Sequence, residues 1–191
     1  MCRVDVGAPM TSPGDAGPPG VVRSSGGGPH QEVLMSMFTT CLWFRGEASE
    51  AAEFWVSVFP NSRVTHTEHY PNNSGDLSGT VITVAFELDG QAFLGLNGRA
   101  DLPFTEAVSL QVPCADQAEI DHYWDALLAG GGQESRCGWL TDRFGFSWQI
   151  VPSEPIFRGE DGPEANARVN TALMQMGRLD LAALEAARRG A

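Results

Sequence analysis

The chain of 191 residues contains no lysine, because all 12 of its basic residues are arginines. Without lysine it cannot form a lysine Schiff base, use a lysine general base or hold a phosphate with a P-loop lysine. The arginines are outnumbered by 24 acidic residues, which gives a formal net charge of -12. Such a surface repels phosphate backbones and acidic lipids, so we expect neither nucleic acid nor a membrane as a partner.

The sequence also lacks targeting and metal-site signals. Its N-terminus has no apolar run typical of a secretory signal, and no segment approaches the roughly 20 apolar residues that span a bilayer. The four cysteines form no CxxC pair and no zinc-type spacing with histidine. We therefore expect a cytoplasmic protein with reduced cysteines.

Residues 1–36 differ from the rest of the chain. Glycine and proline recur and hydrophobic periodicity is absent, so the segment cannot bury enough apolar surface to offset its ordering entropy. We predict a disordered tail. Because Met35 and Met37 come just before the first periodic segment, this tail is either native or an upstream extension from a wrongly chosen start codon, and we favour the second.

From residue 38 onward one order of elements, a strand, a helix and three strands, occurs twice. In the first module, 38–97, an aromatic strand precedes an amphipathic helix that begins at Ala48 and ends before Pro60. Three strands follow, and Asp89-Gly90 predicts a tight hairpin between the last two.

The second module spans residues 105–152. Its helix begins with a capping box, Asp116-x-x-Glu119. Strand-like segments follow at 134–140 and 146–152, and we place the third strand, which is hard to separate from them, at about 138–141. Asp142 is predicted to accept a hydrogen bond from the backbone two residues on, with Gly145 at positive φ. A helical segment follows at 161–191, with a break near Gly177.

Three segments resemble a known family. They are 41–55 (CLWFRGEASEAAEFW) with 58–61 (VFPN), 112–124 (VPCADQAEIDHYW) and 137–152 (CGWLTDRFGFSWQIVP). They are similar to the PhnB-like branch, often labelled demethylubiquinone methyltransferase-like, of the vicinal oxygen chelate superfamily, which includes glyoxalase I, extradiol dioxygenases and bleomycin resistance proteins. The resemblance implies an α+β domain at 37–160 whose paired βαβββ modules form a cupped mixed sheet around a cavity. It also implies helices on the convex side and a homodimer.

The resemblance further implies four inward strand positions at which superfamily enzymes hold a divalent metal. These positions project onto Thr40, Asn97 or Gly95, Ala107 and Gln149. A hydroxyl, an amide and a methyl group are poor ligands for a divalent ion. His66 and His69 would point to opposite faces of a strand. We therefore predict no metal and no cofactor.

Strand alternation predicts which side chains line the cup. They are Thr40, Leu42, Phe44, Phe93, Asn97, Ser109, Gln111 and Gln149. For each one, ordinary core or rim packing is the alternative. Cys41 would then point toward the helix. Apolar walls with a few amides and hydroxyls suit a small aromatic or amphipathic ligand.

Three functions remain open. The first is a small-molecule-binding protein without a metal, and it is the one we favour. The second is a metal-dependent lyase, isomerase or dioxygenase of the same superfamily, and the third is a non-catalytic dimeric interaction protein. We do not expect methyltransferase activity, because no glycine-rich turn joins a strand to a helix as adenosyl-methionine binding of the doubly wound type requires.

Overall fold

A computed structural model describes residues 38–191, so the prediction for residues 1–36 lies outside the described residues. The strands are β1 Thr40–Phe44, β2 Arg63–His69, β3 Val81–Leu88, β4 Gln91–Asn97, β5 Ser109–Cys114, β6 Gln133–Glu134, β7 Trp139–Thr141 and β8 Ser147–Pro152. The helices are α1 Ala48–Val58, α2 Gln117–Leu128, α3 Gly162–Leu173 and α4 Leu181–Arg189, and short 3-10 turns lie at Gly75–Leu77 and Gly159–Asp161. No helix in this part of the chain is both long and apolar enough to cross a membrane.

The strands form two mixed sheets of four, one from each module. Sheet A has the order β1-β4-β3-β2 and sheet B has the order β5-β8-β7-β6. In each sheet the first and last strands of the module, β1 with β4 and β5 with β8, are parallel neighbours, and the other pairs are antiparallel. The predicted α+β fold of two βαβββ modules is confirmed.

The capping box of α2 and the positive φ of Gly145 were both predicted from the sequence. The Asp116 carboxylate accepts a hydrogen bond from the Glu119 N–H at 3.0 Å, and the Glu119 carboxylate accepts one from the Ala115 N–H at 2.7 Å. These bonds satisfy N–H groups at the start of α2 that lack partners within the helix. Gly145 has a φ of +78°, as predicted.

The third strand of the second module, predicted at about 138–141, is β7. A tight turn separates it from β6, because Cys137 and Gly138 both adopt positive φ, +58° and +84°. The Trp139 N–H donates to the Arg136 carbonyl at 3.0 Å, and two successive residues at positive φ give the turn that matches the twist of a hairpin.

The two modules share one core, and a buried carboxylate lies at its centre. Asp142 is only 3% exposed. Its Oδ2 accepts hydrogen bonds from the indole N–H groups of Trp55 in α1 at 2.7 Å and of Trp148 in β8 at 2.9 Å. Its Oδ1 accepts from the N–H groups of Phe144 at 2.9 Å and Phe146 at 3.0 Å. The predicted bond two residues on is therefore confirmed, and the same carboxylate also joins the modules.

Aromatic rings surround this carboxylate. The Trp55 ring lies 5.8 Å from that of Phe86 in sheet A and 5.7 Å from that of Trp148 in sheet B. Phe59, just after α1, stacks on Trp148 at 5.1 Å. The helix-covered faces of both sheets therefore pack into a common core, and the other face of each sheet points away from it.

The substitution Asp142→Asn tests this carboxylate. An asparagine presents one acceptor oxygen, so either the two indoles or the two backbone N–H groups lose their partner. Because hydrogen bonds to charged groups contribute about 1.5–3 kcal/mol each, we expect the free energy of unfolding to fall by about 3 kcal/mol in urea titrations. Asp76→Asn, at an exposed position, is the control and should change it by less than about 0.5 kcal/mol. A loss of less than about 1 kcal/mol in the Asp142 variant would contradict the assignment.

Candidate functional site

The open face of sheet B, the face that no helix covers, carries the polar side chains of the second module. Trp148 and Ile150 of β8 and Leu140 of β7 are buried in the core. Since successive side chains of a strand point to opposite faces, Ser147 and Gln149 lie on the open face with Trp139 and Thr141.

Strand register arranges these side chains in two rows. Ser109, Ser147 and Thr141 are direct neighbours across β5, β8 and β7, and Gln111, Gln149 and Trp139 form the next row. The Gln149 Nε2 donates to the Ser109 Oγ at 2.8 Å, and the Gln111 Nε2 lies 3.5 Å from the Gln149 Oε1. Sequence reasoning predicted Ser109, Gln111 and Gln149, and the structure brings these three together.

Ser147 is the unusual member of this face. It is 1% exposed, and its Oγ has no hydrogen-bond partner among the described residues. A buried polar group without a partner costs about 1–3 kcal/mol, so a partner is expected. The hydroxyl lines a cavity of about 300 Å³. The cavity is lined by Glu106, Ser135, Arg136, Cys137, Trp139, Leu140, Thr141 and Ser147.

The structure corrects the side-chain orientation predicted for the first module. Leu42, Phe44 and Phe93 are buried against α1, with the Phe44 ring 5.9 Å from that of Trp55. Thr40 lies at the exposed start of β1 with the same alternation as Leu42. Cys41 is exposed on the opposite face. The predicted alternation of β1 and β4 is therefore wrong by one residue, because both faces of β1 carry apolar side chains and alternation alone cannot orient it.

Asn97 also lies on the helix-covered side, where it has a structural role. Its Oδ1 accepts a hydrogen bond from the Ala48 N–H at 3.0 Å, and its Nδ2 donates to the Val81 carbonyl at 3.2 Å. It therefore satisfies an N–H at the first residue of α1. Asn97 and Thr40 do not join Ser109 and Gln149 at one point.

The open face of sheet A is apolar at β1 and β4 and carries charged side chains at β2 and β3, including Glu68 and Glu87. Trp43, Leu94 and Leu96 are partly buried there, beside Ala85 and Thr83. The hydroxyl of Thr83 donates to the Glu68 carboxylate at 3.2 Å. The apolar part of this face could pack against the apolar part of a ligand, and it offers few groups that would hydrogen-bond to one.

The residues present do not fit the divalent metal that the superfamily implies. The open faces offer Cys41, Leu94, Leu96, Ser109 and Gln149 near the relevant strand positions, while Gly95 is on the helix side and Ala107 lies in an exposed turn. Within residues 38–191 no three His, Cys, Asp or Glu side chains cluster as a metal would require. His66 and His69 are both exposed. Hydroxyl and amide groups alone bind such ions poorly.

Ser147, Thr141 and Trp139 were missed by sequence reasoning. The sequence prediction placed the Gln149 side chain on the face opposite to Trp148. Because Ser147 is two residues earlier in the same strand, the same alternation would have identified it. Trp139 and Thr141 depend on the start of β7, which the unpredicted turn at Cys137 and Gly138 sets.

Comparison with solved structures defines the class of protein. A PhnB protein from Bacillus cereus, described as a 3-demethylubiquinone-9 3-methyltransferase, is 33% identical over 61% of this chain and 99% of its own, with a TM-score of 0.56. Protein PA1353 from Pseudomonas aeruginosa is 16% identical over 60% of this chain and 96% of its own, with a TM-score of 0.51, and it shows the fold alone. The paired βαβββ modules are those of the vicinal oxygen chelate superfamily.

Within that superfamily, the sequence profile of the family described as 3-demethylubiquinone-9 3-methyltransferase matches residues 36–151. The match covers more than half of the chain, which therefore belongs to this PhnB-like family. Curated protein sequences provide no match.

The family description does not establish the reaction, and the turns before α1 and α2, residues 45–47 and 115–116, contain one glycine between them. Nucleotide-binding turns of the doubly wound type need three.

The thiols of Cys41 and Cys114 test the orientation of the strands that carry them. Burial, with the nearby Glu119 and Asp116 carboxylates, raises the pKa of Cys114 to about 11, whereas Cys41 is exposed on β1. The thiolate is the reactive form. In a sample dilute enough to be monomeric, we therefore expect iodoacetamide at pH 8 to alkylate Cys41 readily, and Cys114 only after unfolding, as read by peptide mass mapping. Equal protection of both thiols in that monomeric sample would show that Cys41 faces the core.

Proposed function

We propose that the chain binds a small aromatic or amphipathic molecule on the open face of sheet B, without a metal, in a cup that a second copy of the chain completes. The observation that carries this proposal is the buried Ser147 hydroxyl, which lines a cavity and has no partner among the described residues. A hydrogen-bonding ligand would satisfy it. The unpaired cysteines Cys41, Cys114 and Cys137 suit a reducing compartment, so we propose the cytoplasm.

The composition of the open face supports this class of ligand. Hydroxyl and amide groups form the polar part of the open face, and the half-buried Trp139 gives an aromatic surface in the cavity that Ser147 lines. Binding sites for small molecules combine apolar walls with a few well-placed polar groups. The Gln149–Ser109 hydrogen bond holds two of these groups in fixed positions.

A second copy is proposed because the chain cannot cover sheet B with its own sheet A. The helix-covered faces of both sheets meet in one core around Trp55, so the open faces point apart. The cavity beside Ser147 is lined only by residues of the second module and its preceding turn. The apolar β1–β4 part of the open face of sheet A, with Trp43, Leu94 and Leu96, would supply the missing wall from the second copy.

The donor set supports binding without a metal. Gln149 could offer only its one amide oxygen, which lies 3.5 Å from the Gln111 Nε2, and the neighbouring strand positions add no carboxylate or imidazole. The metal-dependent alternative has no observation in its favour within residues 38–191.

Binding of 4-methylbenzamide, a neutral aromatic probe, tests the proposal. In NMR titrations of the full chain we expect shifts at residues 139–141 and 147–149, equal in EDTA and in excess zinc. Ser147→Val, which replaces the hydroxyl with a methyl group and narrows the cavity, should abolish these shifts, and the exposed Ser57→Ala should leave them unchanged. Light scattering on the same sample should give a dimer of the 20.5 kDa chain.

Two outcomes would contradict the proposal. One is the absence of shifts on the open face of sheet B at any probe concentration. The other is tight, stoichiometric manganese binding that raises the melting temperature, since a ligand of the native state must stabilise it.

A further inference from the structure

The cavity beside Ser147 carries one acidic and one basic side chain in its lining. These are Glu106, in the turn before β5, and Arg136, in the turn between β6 and β7. Neither side chain has an ion pair or a hydrogen bond with any of the residues that the structure describes. Arg178, by contrast, is paired with Asp121 and Asp125.

The strand register places the backbone of these two residues beyond opposite ends of the two rows. Glu106 comes before Ser109, so it lies beyond the row that contains Ser147 and Thr141. Arg136 comes before Trp139, so it lies beyond the next row. The rows are two residues apart, about 6.6 Å along a strand. The Cα atoms of the two residues are therefore separated along the strand direction by more than the spacing of the two rows.

The middle of the cavity differs from its ends. It contains the unpartnered Ser147 hydroxyl, the Thr141 hydroxyl and the ring of Trp139. An aromatic ring next to hydroxyl groups suits a flat apolar body with a polar edge. The acidic and the basic residue of the lining therefore flank, along the chain direction of β7, a middle part that carries hydroxyl groups and an aromatic ring.

We infer that this cavity takes a small zwitterion whose ammonium and carboxylate groups lie at opposite ends of a flat apolar body. The Arg136 guanidinium binds the carboxylate through its planar pair of donors, and the Glu106 carboxylate binds the ammonium. Glu106 would repel a simple anion, and Arg136 would repel a simple cation. A ligand that carries both charges therefore matches the lining best. This inference rests on the proposed function, because it names the ligand class of the same site.

Four ring compounds of similar size separate the contributions of the two charges. They are 4-(aminomethyl)benzoate, 4-methylbenzoate, 4-methylbenzylamine and the neutral 4-methylbenzamide. We expect the full chain to bind the zwitterion about tenfold more tightly than any of the other three, as measured by NMR titration at low salt.

Two variants test which side chain binds each charged group of the zwitterion. Glu106→Gln should remove the advantage of the zwitterion over 4-methylbenzoate, and Arg136→Gln should remove its advantage over 4-methylbenzylamine. Both positions are exposed, so both variants should fold, which circular dichroism verifies. Glu53→Gln and Arg189→Gln, exposed and outside the lining of this cavity, are matched controls and should retain the full preference.

The outcomes separate this inference from the proposed function. If the neutral amide binds at Ser147 and the zwitterion has no advantage, the inference is overturned while the proposed function stands. If no probe shifts the resonances of residues 139–141 and 147–149, both are overturned. If the zwitterion is preferred and the preference is insensitive to Glu106→Gln and Arg136→Gln, the inference is also overturned.

Discussion

The Asp142 carboxylate is the interaction on which the arrangement of the two modules depends. It accepts hydrogen bonds from Trp55 of the first module and Trp148 of the second, and from two N–H groups of its own turn. Burial raises the pKa of Asp142 above its ordinary value, and the four hydrogen bonds act in the opposite direction. A buried carboxylate without these partners would be strongly destabilising. The turn, both indoles and the contact between the modules are therefore coupled through one side chain.

The position of the site follows from this arrangement. Once Trp55 and Trp148 bond the same carboxylate, the helix-covered faces of both sheets pack into one core and the open faces point outward. The polar open face of sheet B then presents Ser109, Ser147 and Gln149 beside Trp139, and the β1–β4 part of the open face of sheet A presents apolar groups. One copy of the chain thus carries the polar side of one binding site on sheet B and, on sheet A, the apolar side of the binding site of another copy. The proposed function therefore requires a second copy.

The sequence was informative where a local signal had a single physical meaning. The capping box at Asp116, the positive φ at Gly145 and the orientation of Gln149 next to the large aromatic Trp148 were all predictable. The orientation of β1 was not, because Cys41 and Trp43 on one face are nearly as apolar as Leu42 and Phe44 on the other. The bond between Trp55 and Asp142 joins residues 87 positions apart, and no local pattern reports such a contact. Ser147 needed only the alternation already assigned to Gln149, yet its lack of a partner is visible only in three dimensions.

The most direct test of this account is hydrogen exchange at the tryptophan indoles, measured by NMR on chain labelled with 15N-tryptophan. If one carboxylate holds both modules, the indole N–H groups of Trp55 and Trp148 should exchange only by global unfolding, and therefore with the same free energy of opening. The Trp43 indole, which donates to the Ala100 carbonyl at an exposed site, should exchange much faster. Exchange of Trp55 through a local opening, with Trp148 still protected, would show that the modules separate independently and would contradict the account.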